Sequence, residues 1–142
     1  MPHPEIEEHN AMMKAYDFAM DFYCLCRPLL RLRDQHDFRI SCGVMPTNSE
    51  LIEELYPDPE DSRPACGFNG QSLHDWITSG VIHLTFGTNA TGGDEDERFR
   101  REAAVGSLVA KTFESLGFTV DWNGNPGRTV EVRRPQPISS SN

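Results

Sequence analysis

Between Val81 and Val132 the chain changes its hydrophobic period twice. The run "VIHLTF" reads as a strand ended by Gly87. Phe99, Ala103, Leu108, Val109, Phe113 and Leu116 then recur at helical intervals up to Gly117, and "FTVDW" and "RTVEV" alternate again around the turn-rich "NGNPG". Side chains alternate faces along a strand but return to one face every 3.6 residues on a helix, so this stretch reads as strand, helix and β-hairpin. A helix of this kind must bury its stripe. The region near Arg98 to Leu116 is therefore expected to pack through Phe99, Ala103, Leu108 and Phe113 on one sheet holding all three strands.

The upstream half extends the pattern. From Glu5 to Asp34, the residues Ile6, Met13, Tyr16, Met20, Tyr23, Cys26 and Leu30 fall at helical spacings, widened by Met12, Ala19 and Leu29. This predicts a long amphipathic helix with the stripe in the core, kinked or split near Arg27 because Pro28 cannot donate to the helical ladder. "DFRISC" alternates, with Phe38, Ile40 and Cys42 on one face and Arg39 and Ser41 on the other, and Gly43 ends it. "TNSELIEELY" opens with Thr47 three residues before Glu50, a capping box for a short helix. "PDPEDSRP" is an exposed loop and "ACGF" a weak strand. "QSLHDWITSG" reads as a helix entered at Ser72 and ended by Gly80 in a left-handed turn. The fold class is α+β: a single domain over residues 1–134 with a mixed four- to five-stranded sheet, a long N-terminal helix, further helices packed on the sheet and a C-terminal β-hairpin. "RRPQPISSSN" frays at the end, leaving 135–142 as a flexible tail.

No apolar run approaches the roughly 20 residues that a membrane helix needs, and the acidic start "MPHPEIEEHN" is unlike a signal peptide, so a soluble cytoplasmic protein with no membrane partner is expected. The formal net charge is -9. Through Ser62 there are 13 Asp/Glu against 5 Lys/Arg, so the first half holds nearly all of the imbalance. Duplex binding rests on basic side chains neutralising phosphates, so nucleic acid is excluded as the expected partner. A protein with a basic surface is favoured, while acidity that merely maintains solubility is the plainer alternative.

The loop "GTNATGGDEDE" has the layout of a phosphate-gripping turn, but Gly93 stands where the lysine would be and Asp94 where the hydroxyl would be. Asp94 instead reads as the cap of its own helix, with Glu97 as the capping-box partner and Glu95 and Asp96 complementing the dipole. Residues 94–97 form an oxygen-rich cluster without a closed cage, so no metal is expected there. Cys24, Cys26, Cys42 and Cys66 lack zinc-ligand spacing and read as reduced thiols packed as small hydrophobes. His74 and Asp75 are neighbours that diverge on a helix, and His83 sits on the strand face opposite Ile82 and Leu84. A pairing in space of Cys42 or Cys66 with a histidine stays open as the enzymatic alternative. No catalytic residue and no cofactor is expected.

Two binding surfaces stand out. Glu50, Glu53, Glu54, Asp58, Glu60 and Asp61 follow one another along a short helix and an exposed proline-rich loop. Trp122 and Arg128 flank the last turn. They form either an interface anchor or a structural contact in which Arg128 stacks on the indole.

The closing pattern, Phe86-Gly87, Gly117, Val120, Trp122, Asn123-Gly124 and Arg128, resembles the ending of a bacterial family, domain of unknown function 6891, over about the last seventy residues. The resemblance implies this fold and no particular activity. Two functional classes follow. One is a non-enzymatic acidic interaction protein, an immunity or inhibitor protein that covers the basic surface of a toxin or similar partner. The alternative is a small enzyme or ligand-binding module using Cys42, Cys66, His74 or residues 94–97.

Overall fold

A computed structural model describes residues 4–134; the expected tail, 135–142, lies outside the described residues. The elements run α1 (Pro4–His36), β1 (Arg39–Cys42), α2 (Asn48–Leu55), β2 (Pro64–Phe68), α3 (Gly70–Ser79), β3 (Val81–Thr88), α4 (Glu95–Ser115), β4 (Thr119–Asp121) and β5 (Val130–Arg133). The five strands form one mixed sheet in the order β1-β2-β3-β5-β4. β1 and β2 are parallel and every other pairing is antiparallel. The architecture is α+β.

Register sorts the side chains. Ile40 and Cys66, Cys42 and Phe68, Ile82 and Val132, and Leu84 and Val130 are cross-strand partners on one face. With Leu25, Leu29 and Leu32 of α1, Trp76 of α3 and Val109 and Phe113 of α4, they build the main core. The opposite face carries Ala65, which joins Leu51 and Leu55 of α2, Met45 and Tyr56 in a smaller cluster. The split has a topological cause. The connections β1-α2-β2 and β3-α4-β4 each join parallel strands and cross the sheet in the same direction, but their strands point oppositely. A single handedness for both crossovers requires α2 and α4 to lie on opposite faces, as they do.

Helix ends follow local chemistry. Thr47 Oγ1 accepts from Glu50 N and Asp94 Oδ1 from Glu97 N, as the capping patterns predict. Gly80 closes α3 at φ 75, a left-handed conformation that suits glycine. The α3 start is corrected: Asn69, not Ser72, is the cap, and its Oδ1 accepts from Ser72 N.

Three further expectations are corrected. α1 is a single helix of 33 residues that runs through Pro28, so it is not split there. Pro28 is buried beside Leu25, Leu29 and Leu32, and packing of this half against the sheet offsets the missing ladder bond. The N-terminal stripe is not core: Ile6, Met12, Met13, Tyr16, Met20 and Tyr23 are all exposed. Phe99 is also exposed, as are all of residues 95–100 at the start of α4, and α4 packs chiefly through Val109, Ala110 and Phe113. The polar face of β1 is covered, leaving Ser41 only 3% exposed beneath α2.

The C-terminal hairpin forms, with β5 inserted between β3 and β4. Its strands stop at Asp121 and resume at Val130, so the connection is longer than "NGNPG".

Candidate functional site

α2 and the loop after it place the six predicted acids unequally. Glu50 and Glu53 lie exposed on α2, and Asp58 and Glu60 are exposed in the loop. Glu54 is half-buried, and its carboxylate accepts from Ser41 Oγ at 3.0 Å. Asp61 is enclosed by arginines: Arg39 Nη1 reaches it at 2.6 Å and Arg63 Nη2 at 2.8 Å. Hydrogen bonds from the Arg63 side chain and backbone N–H, then from Arg39, hold the Asp61 carboxyl well below the usual carboxylate range. The patch is therefore narrower than its sequence. Asp61 and Glu54 are structural, while Glu50, Glu53 and Glu60 make no ion pair among the described residues.

Beside this patch is a cleft of about 360 Å³ lined by Arg33, Phe38, Arg39, Ile40, Glu54 and Arg63. Three guanidiniums could receive an anion, but the chain supplies its own: Asp34 to Arg33, Asp61 to Arg39, and Asp37 and Asp61 to Arg63. In the main core the thiols of Cys26 on α1 and Cys42 on β1 are neighbours that interact. That interaction, assisted by the Arg33 charge, draws the Cys42 thiol down, while the same interaction and burial push Cys26 up. Burial, with a smaller contribution from Cys42, pushes Cys66 up. The spacing of the cysteines does not foretell this pairing, because it joins α1 to the end of β1.

At the other end of the sheet Trp122 has a structural setting. Its ring meets Phe86 edge-on with centroids 5.5 Å apart, and its Nε1 donates to the carbonyls of Asn125 and Arg128. Trp122 and Arg128 are thus brought together, but through the Arg128 carbonyl. The stacked arginine is instead Arg134, whose guanidinium sits 4.7 Å from the Trp76 ring centre. The sheet face here is open and polar: His83 Nδ1 lies 3.4 Å from Thr129 Oγ1, and His83 Nε2 lies 3.9 Å from Glu131.

The remaining candidates do not converge. His74 is exposed on α3, and among the described residues no hydrogen bond joins it to a thiol. The glycine loop is held by Arg101, which donates to the carbonyls of Ala90 and Gly92. Among the described residues no group of three or more His, Cys, Asp or Glu is gathered as a metal site, at 94–97 or elsewhere. Among the described residues no helix is long and apolar enough to cross a membrane. Sequence reasoning missed Arg39, Arg63 and Ser41. The signal was there in part, since Arg39 and Ser41 share the polar side of β1, but which loop acid would meet them depended on α2 and its loop folding over that side.

The fold and site define a small α+β domain with a five-stranded mixed sheet and a polar, arginine-bordered edge. The chain belongs to the family described as Domain of unknown function (DUF6891), whose model matches residues 25–136. The match extends the resemblance seen at the C-terminus upstream through β2, α2, β1 and the buried half of α1. No curated protein and no solved structure matches the chain.

Proposed function

We propose that this chain is a non-enzymatic interaction protein that covers a basic surface of another protein, the mode of action of immunity and inhibitor proteins. The observation that carries this reading is the exposed acidic surface of α2 and its loop. Glu50, Glu53 and Glu60 point to solvent without a basic neighbour, and Ile52, 42% exposed, lies on the same helix as an apolar contact. Such charges raise the association rate and suppress wrong partners, and a neighbouring apolar side chain supplies contact area.

The test is affinity capture on the immobilised chain from lysate of the source cells, with graded salt elution. The expected outcome is a basic protein that elutes early in the salt gradient and is lost with Glu50→Lys/Glu53→Lys/Glu60→Lys but kept with Arg128→Ala. Capture that ignores both salt and the charge reversal would overturn the reading.

A second reading rests on Cys42, whose thiol interacts with Cys26 and with the Arg33 charge. Under it Cys42 reacts with a small thiol-reactive ligand. A saturable modification of Cys42 by such a ligand would favour this alternative.

A further inference from the structure

α1 has two apolar stripes on different sides. At about 100° per residue, Phe18, Phe22, Leu25, Leu29 and Leu32 share one face, while Ile6, Met13, Tyr16, Met20 and Tyr23 share another roughly 200° away. The first face is the one used within the chain: Leu25, Leu29 and Leu32 are fully buried, and Phe22 packs on Phe68. The second is exposed, at 60% for Ile6, 46% for Met13, 61% for Tyr16, 44% for Met20 and 56% for Tyr23. It lies before residue 25, where the family match begins.

The spacing of the exposed stripe identifies its occupant. Positions 6, 9, 13, 16, 20 and 23 alternate steps of three and four, the heptad seam of paired helices. The flanking positions are nearly free of charge: Asn10, Asp17 and Cys24 on one side, Glu5, Met12 and Ala19 on the other. Glu7, Glu8, Lys14 and Asp21 lie off the seam, and Asp21 is engaged by Arg134 within the chain. Two copies of an acidic chain can therefore approach along this line without opposing rows of like charge.

We infer that the exposed stripe of α1 is the interface with a second copy of this chain, with the two helices antiparallel. An antiparallel pairing centred between Lys14 and Ala15 places Ile6 of one copy against Tyr23 of the other, His9 against Met20, and Met13 against Tyr16. The seam closes on itself at both ends, as a two-fold interface requires. A parallel pairing would place the acidic first turns, with Glu5, Glu7 and Glu8, side by side. The antiparallel one separates them, brings Glu5 within about one helical turn of Arg27 of the other copy and opposes the helix dipoles favourably. A standard interface takes about 800 Å² from each partner, and six half-exposed side chains, Met12 included, offer an area of that order.

The test is analytical ultracentrifugation of the full chain from micromolar to near-millimolar concentration. The expected result is a twofold mass that persists at high salt, because the seam is apolar. This separates it from the salt-sensitive binding proposed above, so either reading can fail alone. Met13→Glu/Tyr16→Glu, at side chains exposed in the monomer, should halve the mass with the helical circular dichroism signal retained. Ile6→Asp/Tyr23→Asp at the seam ends is the second variant should the first lose that signal. In a Cys24→Ser background, an Ile6→Cys copy mixed with a Tyr23→Cys copy should cross-link on mild oxidation, and the Ile6→Cys copy alone should not. A monomer at all concentrations, a dimer indifferent to both variants, or Ile6→Cys self-cross-linking would each overturn the proposal. A monomer that co-sediments with phosphatidylcholine vesicles would assign the stripe to a lipid surface instead.

Discussion

Gly106 of α4 lies directly beneath Trp122: a Cβ at Gly106 would fall 2.6 Å from the indole ring and 2.7 Å from Phe86. The helix approaches the hairpin closely because this position has no side chain, and the indole fills the space while its Nε1 closes the turn through Asn125 and Arg128.

Gly106→Ala is therefore expected to destabilise the protein by about 1–3 kcal/mol through overpacking, despite alanine's better helix propensity. Urea denaturation checks it. In a double-mutant cycle with Trp122→Leu the two costs should not add, because the smaller ring relieves the clash. Full additivity would contradict the contact.

Arg134, just after β5, ties down two helices, pairing with Asp21 of α1, donating to the Trp76 carbonyl of α3 and stacking on the Trp76 ring. Arg134→Ala should lower stability by roughly 1–2 kcal/mol, since the guanidinium remains partly solvated. Arg134→Lys should recover little, because an ammonium cannot both stack and fork. Thermal melts of the two variants decide the matter.

Asp61 governs part of the acid limb. Its folded carboxyl is held below the unfolded value of about 3.9, so the stability it contributes is full above that value and is lost as pH falls through the folded pKa. Asp61→Asn should reduce stability at neutral pH and flatten its decline in acid. The check is denaturant midpoints on both sides of about pH 4. Equal acid slopes for the two proteins would show that Arg39 and Arg63 do not hold this carboxylate.

Cys42 should be alkylated by iodoacetamide at neutral pH faster than the buried Cys26 and Cys66, by peptide mass spectrometry. Cys26→Ala removes the interaction that favours the Cys42 thiolate, so its alkylation should slow and its pH midpoint rise. A midpoint unchanged by Cys26→Ala would dismiss the pairing.

Much of this was legible where a local rule governs. Thr47 and Asp94 announce their helices because a side-chain oxygen three residues before an orphan N–H satisfies it whatever the rest of the chain does. The alternation of "VIHLTF" and "RTVEV" likewise puts Ile82, Leu84, Val130 and Val132 on one face. The acids of α2 and its loop were legible as residues, but not as a site. Whether Asp61 is a surface charge or a buried anchor depends on Arg39, 22 residues away.

What the sequence by itself determined is the order of elements, their caps and which side chains share a face, since these depend on neighbours within a few residues. What only the tertiary structure decided is which faces find a cover. Period alone cannot tell that α1 buries Leu25, Leu29 and Leu32 and leaves Met13, Tyr16 and Met20 bare, nor that the polar side of β1 lies under α2. An apolar stripe has the same spacing whether it meets a sheet, a second helix or water. Burial depends on where the chain brings distant surfaces together, and here strand order and crossover direction set that.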